Sequence, residues 1–188
     1  ASNMTLIAPG QVDFDALVAQ AERLCGHWEP GRAGRDTTPP PPPVRRRVHT
    51  SAEIAREQVA LASPAPSSQD DDRFAAMLLS AVLGDSTGSR LYYALVDPAV
   101  ADEASMVYDS LDGTGMFLTF LSTDADRAGE AVEITRRELR RFLDDGPEEA
   151  ELDAARNKIA AGATLKGELP MGRLTAVGYD WVYRREYV

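Results

Sequence analysis

Histidine and cysteine, the side chains most often used for nucleophilic and metal chemistry at neutral pH, are scarce in this chain. Histidine occurs twice, at His27 and His49, and Cys25 is the single cysteine. One cysteine excludes an internal disulfide and any zinc cluster built on thiolates. Two histidines leave no His-rich metal site, and a Ser-His-Asp arrangement would have to use one of them. His27 precedes Trp28 at an expected helix end, where a cation suits the helix dipole, and His49 sits in "VRRRVHTSAE"; each reads as structural. The other candidate is "LGDSTGSRLYYAL" at 83–95, a Gly-rich turn opening onto a helix. Such a turn can cradle a phosphate, but it can equally join two packed helices.

The elements around these residues follow from periodicity. Met4–Ala8 reads as a short strand ended by Pro9-Gly10. Asp13 is the expected N-cap of a helix carrying Phe14, Leu17, Val18, Ala21, Leu24 and Cys25 on one side, which stops near Gly26. Residues 29–43, "EPGRAGRDTTPPPPP", lack apolar periodicity and end in five prolines, an extended spacer or, alternatively, an SH3-type ligand. Strands are expected over Val44–Thr50 and Glu57–Ala62. Asp70–Asp72 then open a helix whose apolar side is Phe74, Met77, Leu78, Ala81 and Val82. After the Gly84–Ser89 turn comes a short helix from Arg90 to about Val96. Met106–Tyr108 and Met116–Ser122 read as strands around "DSLDGTG". Asp124–Leu143 is an amphipathic helix broken by "DDGP", Pro147 is placed at N1 of the next helix, and a last aromatic-rich helix spans Met171–Tyr187. The fold class is α+β.

Charge narrows the partners. Thirty Asp and Glu against 20 Lys and Arg give a formal charge of −10 over 188 residues. That repels phosphate backbones, so nucleic acid is not an expected partner; Arg45-Arg46-Arg47 is a local exception that reads as a solvated linker edge. The apolar runs fall short of the ~20 residues that span a bilayer, so no membrane is expected either. No secretion signal is visible, and the expectation is a soluble protein of bacterial type, cytoplasmic or periplasmic.

The order and wording of these segments resemble the non-catalytic domain of the M16 zinc peptidases, the group of pitrilysin, insulin-degrading enzyme and mitochondrial processing peptidase. The likeness is carried by "LLSAVLGDSTGSRLYYAL", "GTGMFLTFLST" and "VEITRRELRRFLDDGPEEAELDAARNKIAAGATL", and covers about residues 44–187. "MTLIAPGQVDFDALVAQAERLCG" is similar to the segment that closes the preceding family domain. The resemblance implies three parts: a closing strand and helix of one domain at 1–28, a Pro-rich linker at 29–43, and an M16 non-catalytic domain at 44–188, truncated at its C-terminus. It implies that the Gly-rich turn joins two helices.

It also implies what the chain lacks. Family catalysis uses an HxxEH motif and a further Glu; here His49 and Glu53 offer one His and one Glu. Zinc is therefore expected in the parent protein or a partner, not in this chain, and no residue is expected to be catalytic or metal-binding. The family's "RGLAY", whose Arg and Tyr hold substrate and tetrahedral intermediate, aligns with Pro98 at the Arg and Asp102 at the Tyr. No Lys or Arg lies between Leu91 and Asp126, whereas Asp97, Asp102, Glu103, Asp109, Asp112 and Asp124 do. The acids read either as solvated turns or as a field favouring basic peptides. Tyr179, Trp181, Tyr183 and Tyr187 read as packing or as an interface. The expected partners are an M16 catalytic domain or subunit carrying HxxEH and a peptide substrate, with self-association possible through truncated surfaces. The alternative is a catalytically dead M16-like scaffold or assembly subunit.

Overall fold

A computed structural model describes residues 3–31, 34, 36–38, 41 and 45–186. The chain divides into two compact units, one formed by Ala1–Thr37 with Ala160–Val188 and the other by Thr38–Ile159, and the division falls within a helix. The fold is α+β, as expected.

The larger unit is built on an antiparallel sheet of order β1-β3-β2, with β1 at Glu57–Ala65, β2 at Glu103–Leu111 and β3 at Thr114–Thr123. Strands β2 and β3 are joined through Asp112-Gly113, where Gly113 takes φ +69°, a left-handed conformation that glycine adopts without strain. Alternation splits the sheet into two faces. Ala104, Met106, Thr119, Leu121 and Thr123 are buried. Against that face pack helix α2 (Arg73–Gly84), a π-helical turn (Tyr92–Val96) and helix α3 (Ala128–Asp145). Leu83, Leu91, Leu95, Val100 and Ala131 complete the core, with Leu91, Leu95 and Leu121 wholly buried. On the opposite face, Phe120 pairs with Ala60 and Ser105, and Leu118 with Ala62 and Val107. This row stays at the surface: Ala60 and Ala62 are exposed, and Val107 is 55% exposed.

Helix α2 approaches β2 so closely that a Cβ on Gly84 would lie 2.1 Å from the Met106 backbone nitrogen. Glycine there is a packing requirement. Helix α3 ends at Gly146, φ +73°, and α4 (Glu149–Glu168) follows.

The smaller unit contains α1 (Phe14–Cys25), the end of α4, and α5 (Pro170–Arg184). Asp13 caps α1 as expected, its Oδ1 accepting the Ala16 N–H at 3.0 Å, and the helix stops at Gly26. Neither α1 nor α5 contains a buried residue, and Phe14 is 72% exposed.

Several expectations are corrected. Met4–Ala8 forms no strand; Met4 and Leu6 are exposed, and with no neighbouring strand among the described residues there is no ladder for the run's backbone groups to join. Residues 45–50 also form no strand, and Val44 lies outside the described residues, as do four of the five consecutive prolines at 39–43 and Tyr187. Strand β1 runs three residues past Ala62. In α2 the buried residues are Ala76, Val82, Leu83 and Gly84, while Phe74 and Met77 are exposed. Almost every α2 position is apolar, so spacing alone could not choose the stripe. Pro147 precedes α4 rather than occupying its first turn.

Candidate functional site

The Gly-rich turn connects α2 to the helical residues 90–96. Several of its donors bond within the turn. Ser89 is buried; its Oγ donates to the Asp85 carbonyl at 2.7 Å and accepts the Tyr92 N–H at 3.2 Å. The Asp85 carboxylate accepts from Ser86 Oγ at 3.3 Å, from the Thr87 N–H at 3.4 Å and from Lys158 Nζ at 2.5 Å. Burial would raise the Asp85 pKa, but these bonds, led by that from Lys158, outweigh it and hold the pKa below its usual value. A carboxylate already occupies the position an anion would need. The turn is a helix junction.

The residues aligned with the family's Arg and Tyr lie at the corner between the π-helical turn and β2. Pro98 is exposed and followed by Ala99 at φ +55°, a costly conformation for a residue with a Cβ. The Ala99 carbonyl accepts from Arg127 Nη1 at 2.6 Å, and Thr123 Oγ1 donates to the Val100 carbonyl at 2.7 Å. Asp102 forms an ion pair with Arg56, which also holds Asp124. Two of the acids thus share one guanidinium supplied from before β1. The sequence stretch 91–126 contained no cation, and nothing in local spacing announced this one. Asp112 accepts from Gln69 Nε2 at 2.6 Å. Asp97, Glu103 and Asp109 are exposed.

Nothing here fits a metal. Among the described residues no group of three or more His, Cys, Asp or Glu could hold an ion. His27, just past the Gly26 cap, is exposed, and His49 and Glu53 are exposed outside any helix or strand. An HxxEH-type site needs its ligands on one helix face, and His49 and Glu53 do not share one.

Depressions occur in both units among the described residues. A cleft of about 360 Å³ lies beside Arg90, Tyr93, Arg137, Arg141 and Glu148. Its charges pair with one another: Arg90 donates twice to Glu151 at 2.7 Å and once to the Gly146 carbonyl at 2.8 Å, and Glu138 is ion-paired with Arg137 and Arg141. In the smaller unit an apolar groove of about 320 Å³ runs between Ile7, Leu174, Gly178, Tyr179 and Tyr183, with the two tyrosines stacked. No described helix is long and apolar enough to cross a membrane.

The larger unit is thus one layer of helices on a small antiparallel sheet. The family model described as "Peptidase M16 inactive domain" matches residues 1–159, and the chain belongs to that family. Among solved structures it is similar to the inactive peptidase domain of an assigned zinc protease from Bordetella parapertussis (TM-score 0.60, 19% identity, covering 66% of this chain and 69% of that one). It is also similar to a protease from Helicobacter pylori (TM-score 0.73, 21% identity, 95% of this chain and 45% of that one). A chain of complex III2 from Candida albicans gives TM-score 0.64 at 12% identity, covering 72% of this chain and 34% of that one. A search of curated proteins finds no match.

Proposed function

We propose that this chain is the non-catalytic half of a zinc-dependent M16 peptidase, forming part of the wall that encloses an unfolded peptide. The observation that carries the reading is the apolar row on the sheet face opposite the core, with half-buried Leu118 and Phe120 at its centre and exposed Ala60, Ala62 and Val107 beside them. A peptide held between two halves needs such a surface, because apolar contact with an extended chain is tolerant of sequence. Zinc and the HxxEH motif would come from another domain or subunit, and zinc bound there would supply the activated water. Residues 1–28 would close a preceding M16 domain, 29–43 would link, and 44–188 would form most of a second domain. The unburied sides of α1 and α5 support packing against further M16 chain.

Pro98 and Asp102 favour a passive role within that assembly. Neither can supply the guanidinium and phenol that would steady a developing oxyanion, and Asp102 is held by Arg56. The same substitution also supports a second reading, a scaffold without catalysis, and the likeness to a complex III2 chain points the same way.

The test compares the isolated chain with the endogenous assembly, captured through this segment. Zinc is measured by elemental analysis and peptide hydrolysis is followed with and without chelator. The expected result is no stoichiometric zinc and no hydrolysis for the chain alone, and both for an assembly carrying HxxEH. Tight zinc in the chain alone would overturn the proposal. An assembly without the motif would establish the scaffold instead.

A further inference from the structure

We propose that the open sheet face receives an extended peptide in which apolar side chains lie between two Lys or Arg. This rests on the peptide-enclosing reading above and specifies the class of peptide.

The register supplies the shape. Phe120 and Leu118 each face an alanine across β1, Ala60 and Ala62, and Leu118 faces Val107 across β2. Two small side chains beside two large ones leave room along the β1 side for the side chains of a strand-like segment. Contact there removes apolar surface from water at about 25 cal/mol per Å².

Charge supplies the selectivity. The outward row of β2 carries Glu103 near one end and Asp109 near the other. Both are exposed, and among the described residues neither has an ion pair. No outward position of the three strands is Lys or Arg. The guanidinium at the end of the face, Arg56, is already shared between Asp102 and Asp124. The face therefore presents an apolar centre with uncompensated negative charge at its two ends. At the usual rise per residue, Glu103 and Asp109 stand ~20 Å apart along the strand. A cation at each end of a short extended peptide matches that span. A second copy of this face would oppose Glu103 and Asp109 with the same acids, so self-pairing is disfavoured, and anionic lipid or nucleic acid is repelled.

The experiment uses the whole 188-residue chain and fluorescein-labelled peptides of alternating Val and Ser. In one, two Lys are spaced to match Glu103 and Asp109; in the other, Glu takes their places. Binding is read by fluorescence anisotropy at low and high salt, and self-association by sedimentation. The expected result is about tenfold tighter binding of the Lys peptide at low salt, narrowing at high salt as screening sets in. The Glu103→Lys/Asp109→Lys variant should reverse the preference, and Leu118→Glu should weaken both peptides. The isosteric Glu103→Gln/Asp109→Asn pair, whose fold is checked by circular dichroism, should abolish the preference without abolishing binding. Equal affinity for both peptides overturns this inference alone and leaves the wall reading standing. Binding of neither peptide overturns both. A dimer of the parent chain that Leu118→Glu abolishes assigns the face to self-association and overturns the inference.

Discussion

Arg90 and Glu151 show how single side chains hold this domain together. Their paired hydrogen bonds are 2.7 Å each, and both groups are mostly shielded, the side chains being 13% and 27% exposed. Glu151 also accepts the Glu148 N–H at 2.8 Å, so the same carboxylate sets the start of α4. The Arg90 bond holds the Glu151 pKa below its ordinary 4.5 despite the opposing effect of burial. A carboxylate depressed in the folded state stabilises fully above its unfolded pKa, and that contribution is lost as pH falls through the folded value. Glu151→Gln should therefore cost about 2 kcal/mol at neutral pH. Its stability should converge with the parent's on acidification, as urea titrations across that range would measure. A cost that stays constant to low pH would place the effect elsewhere. Lys158–Asp85, Arg56–Asp102 and Arg90–Glu151 all join residues far apart in sequence. That is why the candidate corner was legible as Pro98 and Asp102 but its arginine was not.

At the scale of elements, two glycines in one turn have different jobs. Gly84 permits contact between α2 and β2, whereas Gly88 has φ +75° and open space where a Cβ would go. Gly84→Ala should destabilise by about 3 kcal/mol through overpacking, and Gly88→Ala by about 1 kcal/mol through backbone strain alone. Gly88→Asn should recover part of that loss, because Asn tolerates the left-handed region. Denaturant midpoints of the three variants would test the ordering, and equal losses at both sites would refute it. Local chemistry explains which elements were readable. The Asp13 cap, the α1 stop at Gly26, the β2–β3 turn and the break at Gly146 are written in adjacent residues. The strand expected at Met4–Ala8 carried apolar residue types suited to one, yet it does not form, and the described part of the strand expected at Val44–Thr50, residues 45–50, forms none either. A strand, however, is defined by its neighbour, and no run of residues encodes the presence of one.

For the whole molecule, family membership was legible because it lies in the order of several weak segments, each set by local sequence. The second break between the compact units was not, since it falls inside α4, where helical periodicity continues without interruption. The outward sheet row follows from alternation once β1 is paired with β3, and that pairing joins segments far apart in sequence. Its register runs from Ala65 with Gly115 to Glu57 with Thr123, whereas β2 meets β3 across a tight turn. Closing the longer loop costs roughly 2–3 kcal/mol more chain entropy than closing the short one. Assembly should begin with β2 and β3 and add β1 late, and partial opening should reverse that order. Native-state amide exchange would read it: protons of β1 should trade with solvent well before those of β2 at Ala104 and Met106. Equal protection would mean that the three strands open as one cooperative unit. With β1 detached, β3 would expose the backbone edge that β1 had covered, a vacancy ready to be filled by any strand that arrives first.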